Sequence, residues 1–114
     1  MNDEKPVAYL VFAITSSHKD DIIEEFVEHI YWIAESSPIA AFDRATQTAV
    51  NYAATCSTAI EEKREFVGIS EVLPIWEAPS DGSRIGNRVY SKDEKQDIEE
   101  GIMSREEFLE LISP

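Results

Sequence analysis

The sequence predicts an α+β domain, a small antiparallel sheet of about four strands in the order β-β-α-β-β packed on one main helix, with a short C-terminal helix. Three observations lead there. Pro6 to Thr15, PVAYLVFAIT, is a short apolar run rich in β-branched and aromatic residues. Residues 38–54 place apolar side chains at three- and four-residue spacing, and residues 65–73 alternate with the period of a strand. At 114 residues the chain suits one ordinary domain and is short for two.

The first run is apolar at both odd and even positions, the pattern of a central strand covered on both faces. Ser16 to Asp21 is polar and predicts a turn. Glu25 to Ala34, EFVEHIYWIA, is ambiguous by periodicity. Its β-branched and aromatic content, and the short return it needs, favour a second strand hairpinned to the first. Ser37 before Pro38 is a helix start: a serine hydroxyl caps free N–H groups, and proline at the first helical position gives up an N–H that has no partner anyway. Ala41, Phe42, Ala45, Ala49, Tyr52 and Ala53 then form a narrow stripe whose small residues let a helix lie close to a sheet.

In the third strand Phe66, Gly68, Ser70 and Val72 alternate with Val67, Ile69, Glu71 and Leu73, and Pro74 is expected to end it. Pro79 to Ser83 has the composition of a turn, and Asn87 to Ser91 would add a fourth strand that completes a meander. Ser104-Arg105-Glu106-Glu107 matches a capping box ahead of Phe108, Leu109, Leu111 and Ile112, which predicts the terminal helix. Residues 1–90 are thus expected to form the domain. Residues 91–114, with eight acids against three bases, are expected to form an acidic, helical extension, docked or mobile.

Hydrophobic residues make up 43% of the chain, enough for a core that a disordered acidic chain would lack. No apolar run approaches the ~20 residues of a membrane span, and the first five residues are acidic where a signal peptide would be basic. Cys56 is the only cysteine, so no internal disulfide can form; with the missing leader, this points to the cytoplasm. The formal net charge of -13 opposes binding to phosphate backbones and leads us to expect no nucleic-acid partner. Acidity of this size serves simple solubility as well as the steering of a basic partner.

No catalytic or cofactor pattern stands out. His18 and His29 fall in a predicted turn and a predicted strand, outside any pairing that fixes a metal or a triad, so neither metal nor cofactor is expected. Cys56 would need a nearby base to act as a nucleophile and reads more simply as a partly buried thiol. None of the four glycines lies in a phosphate-cradling loop. Carboxylate pairs recur throughout and single out no dyad, and charge runs at turns and helix ends are usually solvated surface.

More informative are acids beside large apolar residues. Between His18 and Glu35 six acids and one lysine interleave with Phe26, Tyr31 and Trp32, while Trp76 stands among prolines near Glu71 and Glu77. Aromatic anchors ringed by carboxylates suit a basic protein, the rings supplying affinity and the charges steering. The alternative is that these rings are core, with Trp76 the one most open to solvent. The candidate contacts are Asp20, Asp21, Glu24, Glu25, Glu28, Glu71, Trp76 and Glu77.

Residues 28–36, EHIYWIAES, the alanines at 41 and 45, residues 66–73, FVGISEVL, and Asp81-Gly82 followed by Val89-Tyr90-Ser91 resemble the bacterial domain-of-unknown-function family 4288. The resemblance runs from Val7 to Ser91, departing at residues 83–87 and in the acidic tail. It implies a small strand–strand–helix–strand–strand domain and carries no catalytic residues.

Acidity, one compact domain and no catalytic constellation together suggest a protein-binding role. The leading expectation is an immunity protein or antitoxin that covers the basic cleft of a cognate toxin such as a nuclease. The alternatives are a phage-type DNA mimic or anti-defence inhibitor, and a small enzyme using a histidine and a carboxylate.

Overall fold

The computed structural model describes residues 5–56, 62–76 and 87–113. Its body is an antiparallel sheet of three long strands with one main helix and short C-terminal helices, in the order β-β-α-β: β1 (Ala8–Lys19), β2 (Ile22–Ile33), α1 (Pro38–Cys56) and β3 (Glu62–Ile75). A five-residue strand, β4 (Asn87–Ser91), extends the sheet beyond β2, giving the spatial order β3-β1-β2-β4. This is not the expected meander. The apolar β1 takes the centre and pairs with both long strands, so β3 and β4 lie on opposite edges.

The β1–β2 hairpin runs further than Ser16 to Asp21 suggested. Only Asp20 and Asp21 turn, both with positive φ (53° and 64°), the backbone of a two-residue hairpin loop that aspartate tolerates. Ser16 and Ser17 continue the strand and are buried. Thr15 Oγ1 lies 3.0 Å from His29 Nε2 and Ser16 Oγ 2.7 Å from His18 Nε2, so two of the buried hydroxyls on this strand have partners.

α1 follows its predicted stripe. Ser37 Oγ accepts from Ala40 N, and Ala41, Phe42, Ala45, Ala49 and Ala53 are buried against the sheet, whereas Tyr52, expected in the stripe, stays exposed at its edge. Ala41, Phe42, Ala45 and Ala49 join Tyr9, Val11, Ala13, Ile33, Ile69 and Phe108 in the main core.

β3 departs from simple alternation. Its register against β1 shifts twice, between Phe12 and Ala13 and between Ile14 and Thr15, leaving Ser70 and Val67 as extra residues. These bulges put Phe66, Ile69 and Val72 on the α1 side, while Val67 packs with Ile14, Phe26 and Ile98 on the other. Pro74 does not end the strand. It pairs with Tyr9 within an edge strand, where a missing N–H on the outer side costs no ladder bond.

Beyond β4 a 3-10 turn (Lys92–Glu94) leads into α2 (Lys95–Gly101) and α3 (Arg105–Ile112), two helices where the sequence suggested one. α2 was hidden because Ile98 is its only buried residue, too little for a periodic signal. Each helix is held to the sheet by one buried side chain, Ile98 in the second core cluster and Phe108 in the main one. The capping box of α3 forms as expected: Ser104 Oγ accepts from Glu107 N at 3.1 Å, and Glu107 Oε1 accepts from Ser104 N at 3.3 Å. Ser104→Ala should therefore cost about 1 kcal/mol, and amide exchange should localise the loss to residues 105–112; an unchanged exchange rate there would show the cap to be idle. The predicted turn at Pro79 to Ser83 lies outside the described residues, and among the described residues no helix is long and apolar enough to cross a membrane.

Candidate protein-docking face

The candidate contacts do not form one patch. Asp20 and Asp21 are exposed at the hairpin tip, whereas Trp76 follows Ile75, which pairs with Ala8 at the far end of β1. β1 has 12 residues, so at about 3.3 Å per residue these groups stand roughly 36 Å apart. Glu24 is the extra residue at the β1–β2 bulge and is exposed, beside half-buried Glu25. Glu77 lies outside the described residues.

Trp76 and Glu71 also part company. Trp76, 55% exposed, lines an apolar groove of about 300 Å³ on the α1 side with Tyr9, Val72, Pro74, Phe108 and Ile112. Glu71 pairs with Phe12 and takes the opposite face of the sheet. The expectation that carboxylates ring Trp76 is therefore not met by Glu71.

That opposite face is the more instructive surface. Register places Leu10, Trp32 and Leu73 in one row across the three long strands, Phe12, Ile30 and Glu71 in the next, and Ile14, Glu28 and Gly68 in a third. α2 covers only the third row, through Ile98 against Ile14. The five apolar residues of the first two rows belong to neither core cluster, with Leu73 exposed and the other four half-buried. Among the described residues no element forms a second layer there.

Carboxylates border this apolar strip. Glu71 is exposed on its β3 side, and Glu28 stands at the boundary with α2, its Oε2 accepting from Ser70 Oγ at 3.3 Å. Below it Glu28, Ser70, Glu94 and Asp97 line a cavity of about 280 Å³ floored by Ile14 and Ile98. Two expected contacts, Glu28 and Glu71, are thus brought onto one face. Leu10, Phe12, Ile30 and Leu73 were missed, although the signal was present: β1 is apolar on both faces, and a single helix can bury only one.

The histidines are kept apart. His18 faces the α2 side, within 3.5 Å of Glu65 Oε2, and His29 faces α1, 4.8 Å from the Tyr52 ring in an edge contact and stacked at 6.1 Å on Tyr31. Among the described residues no group of three or more histidine, cysteine or acidic side chains is placed to hold a metal ion. Burial pushes the Tyr31 phenol up, and the hydrogen bond between Tyr52 and the half-buried Cys56 raises Tyr52.

Burial, helped by the nearby Arg64 charge, lowers His29 below its usual value of 6.5. A histidine that resists protonation when folded stabilises the fold above its unfolded pKa, and that contribution is lost as pH falls from about 6.5 towards the depressed folded value. The stability of the wild type relative to His29→Gln, measured by urea unfolding, should therefore decrease from pH 7.5 to pH 5.5. A difference that stays flat with pH would remove this role.

No protein-family model, curated protein or solved structure matches this chain.

Proposed function

We propose that this chain is a cytoplasmic protein-binding inhibitor, an immunity protein or antitoxin whose sheet face opposite α1 docks on the basic cleft of a cognate toxin, with a nuclease as the leading case. The observation that carries this reading is the apolar strip of Leu10, Phe12, Ile30, Trp32 and Leu73 bordered by Glu28 and Glu71. An apolar centre gives affinity on desolvation, and rim carboxylates on a chain of net charge -13 attract a cationic surface and repel competing anions. A nuclease cleft must be cationic to hold phosphate, so the same charge that steers the inhibitor lets it displace substrate.

A second copy of this chain is disfavoured as occupant, because two surfaces of like charge would meet. A DNA mimic needs an array of carboxylates rather than an apolar centre.

Co-purification with the product of the neighbouring gene, assayed for toxin activity, tests the reading. The chain should form a complex and abolish toxin activity. Leu73→Asp should weaken the complex at least tenfold, and Glu71→Gln should slow association and reduce its salt dependence. Failure to bind or inhibit would remove the proposal.

A further inference from the structure

We infer that the element received by this face is a basic amphipathic helix of the partner, laid across the strands beside α2; this rests on the docking face just proposed. The sheet offers little to a partner strand. Pro74 interrupts the donors of β3, and Met103 N already donates to Ile69 O at 3.0 Å on the outer edge of that strand. β4 occupies the outer edge of β2 over Glu25 to His29, so among the described residues that edge offers a further strand only two short stretches, Ile22 to Glu24 and Ile30 to Ile33. Recognition must therefore come mainly from side chains on the face.

The strip has the footprint of a helix. Three strands about 4.8 Å apart span about 10 Å, and two rows about 7 Å apart add side-chain width on either side, close to the 10–12 Å diameter of an α-helix. A docking sheet would need more rows, and α2 blocks the third. The molecule already covers the rest of its sheet with helices, α1 on one face and α2 on the lower part of the other.

Charge sets the orientation. Glu28 on the sheet, with Glu94 and Asp97 from the α2 region, forms one wall, and Glu71 lies on the β3 side. A helix laid across the strands meets Glu28, Glu94 and Asp97 along the flank that faces α2, Glu71 at its β3 end and apolar side chains beneath. The matching sequence has apolar residues at i, i+3, i+4 and i+7 with lysine or arginine on the side of that stripe that faces α2 and at the end over β3.

The test uses three 18-residue leucine/lysine peptides of identical composition: one with helical periodicity, one strictly alternating and one scrambled. The full chain carrying Trp76→Phe leaves Trp32 as sole fluorescent reporter in the strip. The helical peptide should bind at least tenfold tighter than either isomer, gain helicity by circular dichroism and shift Trp32 emission. Leu73→Asp should lower its affinity at least tenfold. Ile112→Asp, an exposed change on the other side of the sheet, should not.

Equal binding of the helical and alternating peptides would overturn the helix and leave the acidic docking face standing. Binding insensitive to Leu73→Asp, or no binding by any peptide, would also overturn it, while inhibition of the toxin separately judges the functional reading.

Discussion

Replacing Phe108 with alanine is expected to cost about 3–5 kcal/mol, a large share of the 5–15 kcal/mol that holds a domain of this size folded. Phe108 is 4% exposed and stacks on Phe42 with ring centroids 5.0 Å apart, joining α3 to the main core. Little else would hold that helix. Eight residues are too few to be helical alone in water, and the Arg105 pair with Asp43, at 3.0 Å, is solvent-exposed and correspondingly weak. The loss can be taken in two ways: by the whole domain, or by local release of residues 103–113 when their docking energy is smaller than the penalty. Urea unfolding with native-state amide exchange separates them. Domain-wide loss lowers the urea midpoint, whereas local release accelerates exchange in α3 alone. If both measurements stay at wild-type values, Phe108 is not the anchor that its burial implies.

How much of this was legible in the sequence depended on where each signal lay. α1 was legible almost to the residue, since proline, a serine cap and a period-matched alanine stripe are local features read in one window. The centre of β1 was equally plain. Its extension through Ser16 and Ser17 was not, because those hydroxyls looked like turn residues until the fold supplied a cover for them and, for Ser16, a bond to His18. Alternation in β3 misled in a different way. The bulges at Val67 and Ser70 re-phase the strand, and a bulge is a property of a strand pair that one strand's sequence does not announce. The candidate contacts fared as their spacing in the fold allowed. Glu28 and Glu71 come from separate strands that β1 brings together, whereas Asp20, Asp21 and Trp76 are separated by the full length of the hairpin. Local acidity identified residues able to meet a basic partner, but only the register could say which of them share a face.

Gly68→Val is expected to be the next most damaging change, costing at the upper end of the 1–3 kcal/mol typical of overpacking, with Gly68→Ala nearer the lower end. Gly68 is buried, and a Cβ added there would overlap Ile102 Cγ2 and crowd its Cδ1 at 3.2 Å. The first of these atoms is a branch at Cβ rather than the tip of a flexible chain, so it can move aside only if the backbone moves with it. That backbone is constrained, because Ile102 packs on the Ile14, Phe26 and Ile98 cluster and the next residue, Met103, bonds to Ile69. Displacing Ile102 therefore loosens α2 and α3 together, and with α2 the wall of Glu94 and Asp97 beside the docking strip. The clash is a property of the pair Gly68 and Ile102. In a double-mutant cycle of Gly68→Ala with Ile102→Ala, the second substitution makes room for the first, so the combined loss should fall short of the sum by at least about 0.5 kcal/mol. Strict additivity would mean that glycine serves this strand for some reason other than the approach of Ile102.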